Sequence, residues 1–156
     1  MPLAKRPVMH TGMLVRRPVG EVFAALVDPA ITSRFWFTDS TGPIVPEAQL
    51  RWTWEMYGFS TTVRVHEVVP DRRIVFAWGG PAEASTVTME FEARGGDTLV
   101  SVREAGFAGD TDDDVVRAAL GSMGGFSLVL AALKAYLEHG IVLTVVADRF
   151  PDGRPG

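Results

Sequence analysis

The stretch LRWTWEMYGF, residues 50–59, places four aromatic rings within ten positions. Side chains alternate between the two faces of a β-strand. If this stretch is extended, the apolar residues Trp52, Trp54 and Met56 share one face, and the polar residues between them share the other. Such a strand covers an interior on one side only. The rings on that side either fill a core or line a pocket, and the prediction of function depends on which.

The residues after this stretch continue the same two-residue period. From residue 49 to residue 104, apolar and polar positions alternate between breaks rich in Gly, Pro and Asp, which is typical of strands joined by turns. Breaks this short connect antiparallel neighbours. We predict one early strand at residues 10–16 and five later strands at residues 49–56, 60–69, 73–78, 84–93 and 97–104.

Helical patterns lie on both sides of these strands. Apolar residues at helical spacing predict a helix over residues 19–27, and Asp28 is placed to cap a second short helix that begins at Pro29. Thr111 and Asp114 predict the start of a long helix that runs to Gly140. This order predicts a single α+β domain over residues 1–150, in which a curved antiparallel sheet wraps around the long C-terminal helix. We expect a disordered tail over residues 151–156.

Composition excludes several classes of protein. The formal net charge is −4, and the isolated pairs Arg16-Arg17 and Arg72-Arg73 form no basic stripe, so nucleic acid is not an expected partner. The longest apolar runs, at residues 127–133 and 140–147, fall short of the ~20 residues that a membrane span requires, so membrane insertion is not expected. With no Cys and no secretory signal pattern, the chain is expected in the cytoplasm.

No catalytic motif stands out. The sequence contains no G-x-S-x-G, G-x-G-x-x-G, P-loop or H-E-x-x-H pattern. Its histidines, His10, His66 and His139, are far apart and lack metal-ligand spacing. We therefore predict no metal and no cofactor.

Two further patterns have competing explanations. Residues 110–114 imitate the start of an EF-hand loop but have Val115 where that loop needs Gly, so acids at a helix N-terminus explain them better. Gly121, Gly124 and Gly125 each cost about 1 kcal/mol inside a helix relative to Ala. Either the helix is kinked near residue 121, or its backbone closely approaches the sheet or a ligand.

Four segments together resemble a known family. They are PVGEVFAALVDPAITSRFW (18–36), VHEVVPDRRIVFAW (65–78), GGDTLVSVREAGF (95–107) and GGFSLVLAALKAYLEHG (124–140). In this order they resemble the START-like (SRPBCC) superfamily, specifically the branch named for its homology to the activator of a heat-shock chaperone ATPase. The resemblance spans about residues 10–140. It implies a helix-grip (Bet v-like) fold with a deep apolar cavity between the sheet and the long helix.

The resemblance also implies which residues line that cavity. They are Trp36, Phe37, Trp52, Trp54, Met56, Trp78, Met89, Phe91, Met123, Phe126 and Leu130. Asp39, His66 and Arg103 are candidates to orient a ligand, and His66 is the candidate catalytic base. Because neighbours in a strand face opposite sides, His66 competes with Glu67 for the inner face, and Arg103 competes with Glu104. An outward cross-strand ion pair between Arg103 and a glutamate is the plainer interpretation.

The chain departs from the family pattern in two places. Gly125-Phe126 stands where Gly-Trp is usual, so the indole donor is lost. Past Gly140 an apolar extension, IVLTVVADRFP, could form a last strand, a helix turn or a dimer contact.

The main hypothesis is a non-enzymatic protein that binds a hydrophobic small molecule, either aromatic or lipid-like. One alternative is an enzyme of the cyclase, aromatase or hydrolase type that acts on such a ligand. Another is a co-chaperone-like or regulatory protein with a chaperone as its partner. A homodimer is a further expectation, and fold alone does not decide among these functions.

Overall fold

The computed structural model describes residues 2–153, in which a seven-stranded sheet packs against a long helix. The strands are β1 Met9–Val15, β2 Asp39–Ser40, β3 Gln49–Trp54, β4 Phe59–Val69, β5 Arg73–Trp78, β6 Ser85–Arg94 and β7 Asp97–Ala105. The helices are α1 Val19–Val27, α2 Pro29–Thr32, α3 Asp112–His139 and α4 Val145–Asp148. The strand order is β1-β7-β6-β5-β4-β3-β2, and all neighbours are antiparallel. The α+β helix-grip prediction is confirmed.

The inner face of the sheet carries the core because apolar residues repeat at every second position. In β5 and β6 these are Ile74, Phe76, Val87, Met89 and Phe91, all buried. Their neighbours along the strands are less buried. The core therefore lies between the concave face of the sheet and the helices α1 and α3, both of which contact it.

The strand at the opening stretch is shorter than predicted. β3 ends at Trp54, and Glu55–Tyr57 forms a 3₁₀ turn that ends at Gly58, whose φ of 57° is left-handed. The alternation stops there, so Met56 is 41% exposed rather than on the inner face with Trp52 and Trp54. Its predicted placement in the cavity is wrong for this reason.

The predicted helix ends are confirmed by their hydrogen bonds. Asp28 accepts the N–H of Ala30 at 3.0 Å, and Thr111 and Asp114 form a reciprocal capping box. Gly140 ends α3 with a left-handed φ of 65°. The carboxylate of Asp112 accepts the N–H of Leu3 at 3.0 Å. Two of the acids that imitated an EF-hand loop, Asp112 and Asp114, therefore make hydrogen bonds at the start of α3.

Two of the three glycines of α3, Gly124 and Gly125, are explained by the segment that follows the helix. α3 continues as one helix through Gly121, so of the two alternatives the helix does not break there. Instead, the Arg149 guanidinium donates to the Gly121 carbonyl at 3.2 Å. A Cβ added at Gly124 or Gly125 would lie 2.7 Å or 2.9 Å from that guanidinium. The close approach is made by Arg149, not by the sheet.

By length and composition alone, α3 could cross a membrane. Its buried residues, among them Phe126, Leu130 and Leu133, pack into the core, so α3 is the central helix of a soluble fold. Of the predicted tail, residues 154–156 lie outside the described part of the chain.

Candidate ligand-binding cavity

A cavity of about 460 Å³ lies between the sheet, α3 and the residues after Gly140. Its apolar lining comes mainly from Trp36, Trp54, Phe59, Trp78, Phe126 and Val129. Thr61, Glu83, Ser85 and Ser122 add polar atoms. A volume of this size and a mostly apolar lining are typical of small-molecule sites.

The predicted aromatic set divides between this cavity and the core. Trp36, Trp54, Trp78 and Phe126 line the cavity. Phe37, Trp52, Met89, Phe91 and Leu130 are buried outside its lining. Met56 and Met123 are each 41% exposed and do not line it. Met123 precedes Phe126 by three residues, so it lies toward the edge of the same side of α3 and stays partly exposed there. The opening stretch therefore does both things, since Trp52 fills the core and Trp54 lines the pocket.

Ring-to-ring contacts hold this wall in place. Trp36 packs edge-on against Trp52, Trp78 and Phe126, with centroids 4.9, 6.0 and 5.5 Å apart. Phe37 stacks on Trp52 at 4.7 Å. Such pairs each contribute about 0.5–1.5 kcal/mol beyond the area they bury. The wall is therefore preformed, and it does not depend on a ligand to order it.

A buried carboxylate, Glu104, lies at one end of this wall on the inner face of β7. It is only 3% exposed. Its Oε2 accepts the indole N–H of Trp78 at 2.8 Å and the hydroxyl of Ser85, and its Oε1 accepts the hydroxyl of Ser122 at 2.5 Å. We call these four residues the polar corner. Trp78, Ser85 and Ser122 also line the apolar cavity, so the carboxylate lies directly behind its lining.

A second, more polar cavity of about 820 Å³ adjoins the polar corner on its other side. It shares Trp78, Glu83, Ser85 and Ser122 with the apolar cavity, and Glu104 lines it directly. Its charged lining residues are Arg6, Glu83, Glu104, Asp110 and Asp114, so negative charge predominates.

The three polar candidates predicted from the sequence lie elsewhere. Asp39, His66 and Arg103 are exposed and line neither cavity. His66 lies at a β-bulge, outward from the buried Val65. Arg103 points outward, as the plainer interpretation held, but it forms no ion pair within residues 2–153.

The inward-facing neighbour, Glu104, is the functional candidate that the sequence analysis missed. The available signal was the alternation in β7, where Val100, Val102 and Glu104 share a face. As for metals, no group of three acidic or histidine side chains comes together in the described chain.

The residues after Gly140 close one side of the apolar cavity. We call residues 141–153 the C-terminal segment. Of the three alternatives for the apolar extension, it forms a helix turn, α4. The Tyr57 hydroxyl donates to the carbonyls of Val146 and Ala147, the latter at 3.1 Å, and the Tyr57 and Phe150 rings lie 6.0 Å apart. Val146, Arg149 and Phe150 line the cavity as a result.

Comparison with known proteins identifies a family and several solved structures that this chain resembles. Residues 16–138 match the family model described as "Activator of Hsp90 ATPase homolog 1-like protein". Protein SSP2350 from Staphylococcus saprophyticus is 29% identical, over 88% of this chain and 96% of that one, with a TM-score of 0.75. The comparison with curated proteins gave no match.

Two more distant structures share the fold. DynU16, from the dynemicin biosynthetic locus, is 22% identical over 86% of this chain and 48% of its own, with a TM-score of 0.74. The Aha1 dimer from Colwellia psychrerythraea is 15% identical over 86% of this chain and 98% of that one, with a TM-score of 0.73. The chain therefore belongs to the family of proteins like the activator of Hsp90 ATPase homolog 1, within the START-like superfamily.

Proposed function

We propose that this protein binds a hydrophobic small molecule with an aromatic or lipid-like body in the cavity between the sheet and α3. The observation that carries the proposal is the cavity of about 460 Å³ walled by Trp36, Trp54, Trp78 and Phe126. Aromatic side chains are among the costliest to leave in contact with water, so four rings that line an open cavity favour an apolar occupant.

The known relatives suggest two roles for this fold, and the cavity favours one of them. DynU16 comes from a biosynthetic locus, where small molecules are made, and the family is named for activation of a chaperone ATPase. Stimulation of a partner protein needs an outer docking surface and gives no reason for an aromatic cavity beside a buried carboxylate. Small-molecule binding accounts for both features, so we place a chaperone partner second.

Native mass spectrometry of the freshly purified protein tests this proposal. We expect a bound apolar molecule of a few hundred daltons, which denaturation would release for identification. Trp54→Ala should weaken rebinding at least about tenfold, because it removes one wall of the cavity. Met56→Ala is the matched control, since Met56 is two residues away but exposed. A bare protein that also ignores a hydrophobic compound library would overturn the proposal.

Catalysis on the bound molecule is the second candidate, and Glu104 is the observation that favours it. A general acid or base must lie within reach of the substrate. Glu104 lines the polar cavity and accepts hydrogen bonds from Ser85 and Ser122, which line both cavities, whereas His66 is exposed and lines neither. The released molecule should then be converted on incubation with the wild type and remain unchanged with Glu104→Gln. Conversion by both proteins would exclude this role for Glu104.

We propose the cytoplasm as the location of this soluble protein, because the chain has no Cys. A homodimer is also proposed, since the similar Colwellia psychrerythraea protein is a dimer. Light scattering after size-exclusion chromatography measures the mass directly, and a monomer at high protein concentration would contradict the dimer.

A further inference from the structure

The hydrogens of the polar corner are already committed. The Trp78 indole N–H and the hydroxyls of Ser85 and Ser122 all donate to Glu104. A carboxylate offers about four acceptor positions, and three are used here. One position on the Glu104 carboxylate and the lone pairs of the two hydroxyl oxygens remain free. This end of the cavity can therefore accept hydrogen bonds from a ligand, but it has no proton left to donate.

Glu104 also lacks a counter-charge. Within residues 2–153 no Lys, Arg or His side chain forms an ion pair with it. A buried charge is unfavourable unless it is paired, and three neutral donors offset that cost only in part. On the same face of β7 the other positions are apolar, as at Val100 and Val102. An apolar residue at position 104 would avoid the cost, so packing alone does not explain a glutamate there.

The surroundings favour a cation over a neutral donor. Among the described residues, those that line the adjoining polar cavity include four acids and one base, Arg6. The net negative charge there favours a cation. The cation that lines the apolar cavity, Arg149, is held by the Gly121 carbonyl and lies over the Phe150 ring, with 4.8 Å between Cζ and the ring centroid.

We propose that the polar corner recognises a protonated amine, so that the ligand class is a hydrophobic amine. The apolar body would occupy the aromatic cavity, and the ammonium group would extend past Ser85 and Ser122, which line both cavities, to the free acceptor position of Glu104 in the polar cavity. This inference rests on the proposed binding function and adds the chemistry of the group that is recognised.

Three probes with the same bicyclic body test the proposal: naphthylethylamine, naphthylethanol and naphthylacetate. Their dissociation constants are measured by calorimetry with the wild type, Glu104→Gln and Glu92→Gln. We expect the wild type to bind the amine at least about tenfold more tightly than the carboxylate, with the alcohol between them. Glu104→Gln should bring the amine within about threefold of the alcohol. Glu92→Gln is the matched control, because it removes the same charge from an exposed position on β6 that lines neither cavity, and it should keep the preference.

Each outcome bears on the amine inference, on the proposed binding function, or on both. Equal binding of the three probes to the wild type would overturn the amine inference and leave the binding function standing. Loss of the amine preference in Glu92→Gln but not in Glu104→Gln would also overturn it. Failure of all three probes to bind the folded wild type would count against both. The wild-type comparison requires no variant, so it decides the question even if Glu104→Gln fails to fold.

Discussion

At the residue scale, two indoles on the inner face of the sheet differ in their hydrogen bonding. The N–H of Trp78 donates to Glu104 at 2.8 Å, whereas within residues 2–153 the N–H of the fully buried Trp52 has no partner. A buried donor without an acceptor costs roughly 1–3 kcal/mol, and loss of a donor to a buried carboxylate costs a similar amount. The two positions should therefore respond differently to the loss of an indole N–H.

The variants Trp52→Phe and Trp78→Phe remove the same atoms and measure this difference. On packing alone Trp52→Phe should cost more, because Trp52 is the more deeply buried of the two. With the hydrogen bonds included, we expect Trp78→Phe to have the lower free energy of unfolding, by about 1–2 kcal/mol. Urea denaturation followed by circular dichroism gives both values. The opposite order would mean that packing outweighs the hydrogen bonds here.

At the scale of elements, the glycines of α3 report on its contact with the C-terminal segment. An added Cβ at Gly121 would have nothing within 4 Å, so Gly121→Ala should raise the free energy of unfolding by up to about 1 kcal/mol. At Gly124 the same Cβ would lie 2.7 Å from Arg149 Nη2 and displace the guanidinium. We therefore expect a smaller gain or a loss for Gly124→Ala.

A double-mutant cycle separates this contact from helix propensity. In an Arg149→Ala background, Gly124→Ala should regain the stabilisation that it lacks in the wild type. Thermal unfolding of the four proteins measures the coupling. Equal effects of Gly124→Ala in both backgrounds would show that Arg149 does not press on α3 in solution.

A second link joins α3 to β1 and the residue after it. The Glu138 carboxylate accepts the N–H of Arg16 at 2.9 Å and forms an ion pair with Lys134 at 2.6 Å. Lys134 also donates to the Leu14 carbonyl at 2.8 Å. Burial raises the pKa of Glu138, but the hydrogen bonds from Arg16 and Lys134 and the charges of Lys134 and His139 together lower it below 4.5. The folded state therefore favours the carboxylate over the acid.

The lowered pKa of Glu138 determines how its contribution to the free energy of unfolding changes with pH. A carboxyl group whose pKa is lower in the folded state stabilises the protein above its ordinary pKa, and the contribution is lost as the pH falls through the folded value. We expect Glu138→Gln to lower the free energy of unfolding by about 1 kcal/mol at pH 7, a modest value because the pair is partly solvated. Urea denaturation at pH 7 and at pH 3 should show a smaller difference between the two proteins in acid. A difference that is the same at both values would contradict the charge-based account.

At the scale of the whole molecule, features that depend on residues close together in sequence could be predicted, and contacts between residues far apart in sequence could not. Strand and helix bounds depend on neighbours in sequence, so the Asp28 cap and the capping box at Thr111 could be identified directly. The alternation of β7 indicates that Glu104 faces inward with Val100 and Val102, but its hydrogen-bond partners could not be identified, because Ser85 and Ser122 are 19 and 18 positions away and meet it only in the fold. A glutamate facing a core looks improbable until those donors are in place.

The lining of the cavity also depends on contacts between residues far apart in sequence. Alternation places Trp52 and Trp54 on one face, but only the packing of Phe37 against Trp52 shows which ring is covered by protein and which is left at the cavity. The C-terminal segment, which closes that cavity, lies beyond the family match at residue 138, so no family pattern predicted its place.

The final prediction concerns that segment. Ending the chain after Val142 keeps the hydrogen bonds that finish α3, from the N–H groups of Gly140 and Ile141. It removes Val146, Arg149 and Phe150 from the cavity wall. Tyr57, the α3 glycines and the packing of Leu143, Val145 and Val146 against the core hold the segment in place. Because those three residues are only partly buried, we expect the shortened protein to unfold cooperatively, with its cavity more open.

Binding of an environment-sensitive apolar dye, together with thermal unfolding, measures this outcome without knowledge of the natural ligand. The shortened protein should increase the dye's fluorescence severalfold relative to the full chain. Tyr57→Phe is the matched single change, since it removes only the hydroxyl that the carbonyls of Val146 and Ala147 accept, and it should give a smaller increase. Unchanged dye fluorescence in a folded, shortened protein would show that the segment does not cover the cavity in solution. Loss of cooperative unfolding would instead make the C-terminal segment part of the structural core, since a cover that only seals a cavity can be removed without unfolding the sheet behind it.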